Sequence, residues 1–158
     1  MHQPDFNNDL YIKHAQLLCS SYKHWFDKTL IQNHYEPDKL ILALYEAPFV
    51  IVSHGIEEDP VFNFGNKTAL DLFELEWEQF IQLPSRNSVE MTNRKQREEL
   101  MRRVSTEGHM AGYSGVRISA TGKRFKIEDA SIWNIIDAND QYYGQAAMFK
   151  NWSAINQK

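Results

Sequence analysis

Two arginines stand beside small hydroxyl residues in this chain, Arg86 in "LPSRNS" and Arg117 in "YSGVRIS". A planar guanidinium donates in pairs to a carboxylate or phosphate, and Ser85, Ser88, Ser114 and Ser119 are placed to complete such a cradle. The same arginines could instead close structural salt bridges to Glu128 or Asp129. A third basic group, "RKQREELMRR", sets Arg94, Lys95, Arg97, Arg102 and Arg103 against Glu98 and Glu99. It reads as a surface for an acidic partner or anionic ligand, or as a solvated helix face carrying one i, i+4 ion pair, Glu98 with Arg102. Acid–base chemistry would need an Asp or His on a strand with its pKa shifted by a pocket. Asp129 and His54 are the candidates. The histidines (His2, His14, His24, His34, His54 and His109) make no i, i+4 pair and have no nearby Cys, so no metal site is expected. "EEDP", residues 57–60, lacks the alternating ligands of a calcium loop and reads as a turn. No Gly-rich phosphate loop, nucleophile elbow or metalloprotease motif occurs, which lowers the prior for an enzyme.

The elements that must position these groups follow from periodicity. Residues 9–30 carry Leu10, Tyr11, Leu17, Leu18, Tyr22, Trp25, Phe26 and Leu30, mostly at helical spacing, with Asn8 or Asp9 available as N-cap. That face packs on its own core or pairs with a second chain; Tyr22, Trp25 and Phe26 are the candidate partner surface. Pro37 suits the first turn of a short helix that ends before Pro48. "FVIVSHG" and "VFNFG" read as short strands, Asn66 as the cap of the helix "KTALDLFEL", and "EWEQFIQL" as a further helical turn. The basic helix follows, ending near Gly108.

Three long strands close the chain. In the middle one Phe125 and Ile127 share one face while Ala130, Ile132 and Ile136 share the other. A bulge near Asp129 explains that phase change, and so does burial on both faces. The last strand, "YYGQAAMF", is unusually small in its centre. Gly144, Ala146 and Ala147 leave room either for a ligand or for a closely packed helix. The two early strands must join the three late ones in a single five-stranded sheet with helices on one face, an α+β domain.

The chain has 158 residues, enough to bury a core without staples. A net charge of −4 argues against coating phosphate backbones, so no nucleic-acid role is expected. The single Cys19 fits a reducing setting. With no secretory signal and no apolar run of membrane-spanning length, the expected location is cytoplasmic, with no membrane association.

"VFNFGNKTALDLFELEWEQFIQLPS" resembles a stretch of the PAS domain, in which an aromatic strand leads into Asn-x-x-Ala, then Leu and Phe. The matching positions are Phe64, Asn66, Ala69, Leu70, Phe73, Phe80 and Pro84. A closer resemblance is to the MEKHLA domain, a PAS-like module found at the C-terminus of class-three plant homeodomain–leucine-zipper regulators and alone in other proteins. "LYEAPFVIVSHG", "DPVFNFGNKTALDLFE", "LPSRNS", "YSGVRIS", "GKRFKIEDASIWNIID" and "GQAAMF" carry it. Neither homeodomain nor long zipper accompanies them, so DNA binding is not implied and the stand-alone form is expected.

The resemblance implies a PAS-like five-stranded antiparallel sheet over residues 37–155 with helices on one face, preceded by an N-terminal helical extension, residues 1–36. It implies a pocket between helices and sheet and a non-catalytic sensory role through a small molecule or a protein partner; the amphipathic residues 9–30 add the expectation of a homodimer through the N-terminal helix. Pocket candidates are Phe73, Trp77, Phe80, Ile118, Phe125, Ile127, Trp133, Gly144, Ala146 and Met148, with Arg86 and Arg117 as anion candidates. No cofactor is assigned. Cys19 lies outside the module, against a covalent flavin photocycle, and the helix 93–107 has no His for haem, with His109 in the loop after it. The alternative is a small ketosteroid-isomerase-like cone using Asp129 or His54.

Overall fold

Strand alternation in the two halves of the chain builds one sheet. A computed structural model describes residues 4–156, so His2 and the first residues of the N-terminal extension lie outside the described residues. Five strands run antiparallel: β1 (Val50–His54), β2 (Phe62–Gly65), β3 (His109–Ile118), β4 (Arg124–Ile136) and β5 (Tyr142–Phe149). Their order is β2-β1-β5-β4-β3, which places the last long strand at the centre. A sixth, β6 (Asn151–Ala154), pairs with the first half of β4. The sequence gives no sign of β6, because its four residues lack apolar alternation and stay largely exposed. β3 begins at His109, so this residue belongs to a strand and not to the preceding loop.

The described residues also form five α-helices, α1 (Asp9–Phe26), α2 (Pro37–Tyr45), α3 (Lys67–Phe73), α4 (Trp77–Phe80) and α5 (Arg94–Glu107), with short 3-10 turns at Ser85–Ser88 and Met91–Asn93. Asn8 caps α1 by accepting from the Tyr11 N–H at 3.1 Å. Asn66 does more than cap α3. Its Oδ1 accepts from Ala69 N and from Ile51 N on β1, while its Nδ2 donates to the carbonyls of Leu44 and Phe49. One fully buried amide therefore ties α2, β1 and α3 together.

Register separates the two faces of the sheet. Val52, Ala147 and Ile132 stand side by side, as do His54, Gln145 and Asn134. This face meets α5, where Leu100 and Val104 pack on Ile132. The intervening row, Ser53, Ala146 and Trp133, points the other way. There it meets α1: Trp133 Nε1 donates to Ser21 Oγ at 3.0 Å, and His14 Nε2 and Ser53 Oγ are hydrogen-bonded at 2.9 Å. The α1 and α2 residues Ala15, Leu18, Tyr22, Ile41 and Leu44 share one apolar core with the strands.

That packing answers where the apolar face of α1 goes. Tyr22 is 5% exposed and sits edge-on against Trp133, with ring centroids 4.9 Å apart. Trp25 stacks on His109 and donates from Nε1 to the Asn134 carbonyl at 2.9 Å, and Phe26 packs on Trp133 and His109. Of the three residues expected to form a partner surface, Tyr22 is thus buried against the chain's own sheet, while Trp25 and Phe26 pack on it and stay half-buried. The outward positions Lys13, Gln16, Ser20 and Lys23 are polar and exposed.

Asp129 marks the phase change in β4, with φ 55° in the left-handed region. It lies between the segment paired with β6 and the segment paired with β5. The extra residue turns Phe125, Ile127, Ala130 and Ile132 toward the same side, where Phe125 meets Phe73 of α3 and the other three line a cavity.

Candidate functional site

Between the sheet and helices α3 and α5 lies a cavity of about 80 Å³. Its apolar walls are Val52, Phe62, Phe73, Leu100, Met101, Ile127, Ala130, Ile132, Ala147 and Phe149. Its polar side chains are His54, Ser85, Ser88, Arg97, Tyr113, Arg117 and Gln145; Ser53 borders it as well, with its hydroxyl turned to His14 of α1. Ala146 also borders it, although strand alternation turns the Ala146 side chain toward α1.

Of the pocket and anion candidates, Phe73, Ile127, Ala146 and Arg117 come together here, beside His54, Ser85, Ser88 and Ala147. The others take structural positions. Trp77 joins Phe6, Tyr11, Tyr45 and Phe64 in an aromatic cluster. Phe80 stacks on Phe62 at 4.3 Å. Phe125 packs edge-on to Phe73. Trp133 is fully buried beneath α1, Met148 lies in the same row as Ile51 on that face, and Ile118 is half-buried near the end of β3. Gly144 makes room for backbone, since a Cβ there would lie 2.0 Å from the His54 carbonyl oxygen, and its φ of 133° disfavours any side chain.

The two anion candidates separate. Arg86 is on the surface, where its Nε donates to both oxygens of Asp59 at 3.0 and 3.1 Å. Neither it nor Arg117 pairs with Glu128 or Asp129; those side chains point to solvent from the exposed positions flanking the bulge. Arg117 donates to the Tyr113 hydroxyl at 3.3 Å and to the Val116 carbonyl at 3.0 Å, with its guanidinium 5.6 Å from the Tyr113 ring centroid.

Arg97, in the sequence one of five basic residues on a helix open to an anionic ligand, an acidic partner or solvent, turns inward and apart from the rest. It is 6% exposed, and its Nη2 donates to Ser85 Oγ inside the cavity. The signal was present: Arg97, Leu100, Met101 and Val104 stand at i, i+3, i+4 and i+7, one stripe of α5. Burial pushes the Arg97 guanidinium down to about 10, and the positive charge of Arg117 adds to the effect. Arg102, meanwhile, pairs with Glu99 at 3.9 Å and not with Glu98.

His54 is 8% exposed, with Nδ1 3.0 Å from the Gly55 carbonyl oxygen. Burial lowers its pKa from the ordinary value, only partly opposed by that hydrogen bond, so the ring is neutral near pH 7 and Nδ1–H is the donor. Gln145 donates from Nε2 to the Met101 carbonyl, Ser105 Oγ and Asn134 Oδ1, bracing α5 against the sheet. Asp129 is exposed and away from the lining, so of the two acid–base candidates only His54 borders the cavity. Among the described residues no His, Cys, Asp and Glu cluster could hold a metal ion. The cavity offers a guanidinium pair, hydroxyls and apolar walls, which suit binding.

A family model of the MEKHLA domain matches residues 12–154. This chain belongs to the MEKHLA domain family. Homeobox-leucine zipper protein HOX10 of Oryza sativa is 24% identical over 142 residues, covering 89% of this chain and 17% of that protein. Homeobox-leucine zipper protein ATHB-15 of Arabidopsis thaliana is 21% identical over 142 residues, with the same coverage. The MEKHLA chain therefore spans 17% of the length of these relatives. Among solved structures, a PAS domain from Colwellia psychrerythraea superposes with a TM-score of 0.59 at 19% identity, covering 70% of this chain and 91% of its own. An RNA-binding Light-Oxygen-Voltage receptor gives a TM-score of 0.64 at 13% identity over 77% of this chain and 34% of its own. A Light-Oxygen-Voltage domain studied with a flavin analogue gives 0.59 at 13% identity, covering 75% of this chain and 86% of its own. The fold is that of a PAS domain.

A flavin like that of the last neighbour does not suit the residues present. The cavity falls well short of the roughly 300 Å³ at which pockets for such ligands begin. Cys19 lies on α1, across the sheet from it, and burial pushes its thiol up to about 12, away from the reactive thiolate.

Proposed function

We propose that this MEKHLA domain is a non-catalytic sensory module that captures a small molecule in the cavity between the sheet and α5 and reports its presence to a protein partner. The observation that carries the reading is the cavity itself, whose convergent polar groups are set in apolar walls on the face that α3 and α5 cover. The strands offer a route outward. On β1, His54 faces the cavity while its neighbour Ser53 bonds to His14 of α1. On β4, Ile132 faces the cavity while Trp133 bonds to Ser21 of α1. A ligand that favours one spacing of these strands shifts the population of α1 positions, and a partner that reads α1 senses the difference. A homodimer through α1 would meet the half-buried Trp25 and Phe26, with Tyr22 turned into the core.

The test compares native and denaturing mass spectra of freshly purified protein with those of the Ala147→Leu variant, whose longer side chain grows into the cavity. A mass excess that disappears on denaturation is expected for the wild type and not for the variant. Retention of the excess by Ala147→Leu would move the ligand elsewhere. A bare wild-type mass, together with no thermal shift across a metabolite library, would leave the cavity a packing defect.

A further inference from the structure

Burying a guanidinium is costly unless carboxylates or a full set of acceptors meet it. Three arginines of this chain have such partners: Arg86 with Asp59, Arg102 with Glu99 and Arg124 with Glu90. Arg97 is far more deeply buried than any of them, yet among the described residues it forms no salt bridge. Among the described residues its one side-chain hydrogen bond is the donation to Ser85 Oγ, one of the five N–H groups that a guanidinium offers. Arg117 lines the same cavity, also without a carboxylate partner among the described residues. No Asp or Glu lines the cavity, so the two cations share it with no carboxylate on its walls, and the counter-charges that reach Arg97, those of Glu98 and Asp59, lie outside the lining.

Resting on the reading of this cavity as a ligand site, we propose that its ligand is a short-chain organic carboxylate, held through its carboxylate by Arg97 and Arg117. The planar fork of a guanidinium matches two carboxylate oxygens, and Ser85 and Tyr113 stand beside it as hydroxyl partners. The rest of the lining is apolar, Phe73, Ile127, Ile132 and Phe149 among it, which suits an aliphatic end and penalises a fully hydrated oxyanion such as phosphate. A volume of about 80 Å³ holds roughly five non-hydrogen atoms, at about 15 Å³ for each water-sized group. Propionate is of that size. A ligand so small binds no more tightly than roughly micromolar.

The experiment titrates the purified chain with sodium propionate, propionamide and sodium phosphate at constant ionic strength, reading calorimetric heat and the unfolding midpoint. Propionate is expected to bind and to raise the midpoint, with propionamide and phosphate at least tenfold weaker. Arg97→Met is expected to lose the propionate response while unfolding, without ligand, at or above the wild-type midpoint, because a buried charge that forms no salt bridge among the described residues has been removed. Arg117→Gln, at a half-buried position, is expected to weaken propionate at least tenfold without unfolding the chain. Equal binding of propionamide would overturn the anion inference and leave the cavity a site for neutral molecules. Equal binding of phosphate would make it a general oxyanion site and overturn the carboxylate class. Undiminished propionate binding by Arg97→Met would remove Arg97 from the site. If none of the three probes binds, the anion inference falls, and the mass comparison above decides separately whether the ligand reading falls with it.

Discussion

At the scale of single residues, the small centre of β5 shows how one pattern can have two causes. Gly144 and Ala147 look alike in the sequence as places where volume has been given up. Only Ala147 opens onto the cavity; Gly144 yields to the carbonyl oxygen of His54, with which a Cβ would collide at 2.0 Å. Alternation alone could not separate them, because the cause at Gly144 is a backbone approach from β1 that depends on pairing between segments some 90 residues apart. Gly144→Ala should therefore cost at least about 2 kcal/mol, combining a strained φ with overpacking. Ala147→Gly should cost about 1 kcal/mol, mainly as strand entropy and lost packing. Urea denaturation of the two variants checks the order, and a Gly144→Ala protein as stable as wild type would refute the close-approach account. Arg97 is the converse case. Its place on the apolar stripe of α5 was readable, but charge composition outweighed periodicity in the sequence reading.

At the scale of elements, the helix and strand order was legible because each segment has its own signal, including the Asn8 and Asn66 caps. The bulge was half-legible. The phase slip between Ile127 and Ala130 required a break or a doubly buried strand, and the left-handed φ of Asp129 settles it as a bulge. Glycine accepts that conformation without penalty, so Asp129→Gly should leave stability unchanged or raise it by up to about 1 kcal/mol, whereas Asp129→Val should lower it by about 1–3 kcal/mol. Thermal midpoints of the pair check this, and similar midpoints would mean that the bulge is not held at residue 129. The attachment of α1 supplies a second test. Replacing Ser21 by Ala improves intrinsic helix propensity by a few tenths of a kcal/mol. Yet it orphans the Nε1–H of fully buried Trp133, which costs about 1–3 kcal/mol. The second effect is larger, so Ser21→Ala should destabilise; a gain in stability by chemical denaturation would show that α1 is not anchored through this bond.

At the scale of the whole molecule, both faces of one sheet are covered, with α3 and α5 on the cavity side and α1 opposite. Each face holds a neutral histidine on or against β1: buried His54 on the cavity side, and half-buried His14 against Ser53. Which side of the sheet α1 would take was not written in its amphipathic pattern, since an apolar stripe fits a sheet face or a second chain equally well. The consequence is a pH dependence. Burial lowers the pKa of His14 from 6.5 to about 4, and it lowers that of His54 as well. As the pH falls through 6.5, the unfolded chain takes up protons at these rings while the folded chain does not, so the folded state loses stability steadily until His14 itself titrates near pH 4. For His14 the loss is at most about 3 kcal/mol, less whatever its residual exposure relieves. Carboxylates act in a lower window. Glu74, held down by the Thr121 and Ser119 hydroxyls, and Asp137, held down by the backbone N–H groups of Gln141 and Asn139, stabilise the fold above their ordinary values of 4.5 and 3.8 and lose that contribution only below them. The interval between pH 6.5 and 4.5 therefore isolates the histidines. In urea denaturation at pH 8, 6 and 5, the wild type should weaken at each step, and His14→Gln, which keeps a donor for Ser53, should weaken appreciably less between pH 6 and 5. A wild type equally stable at all three values would mean that His14 and His54 are protonated or solvated in the folded chain, and the tight closure of α1 over β1 would go with it.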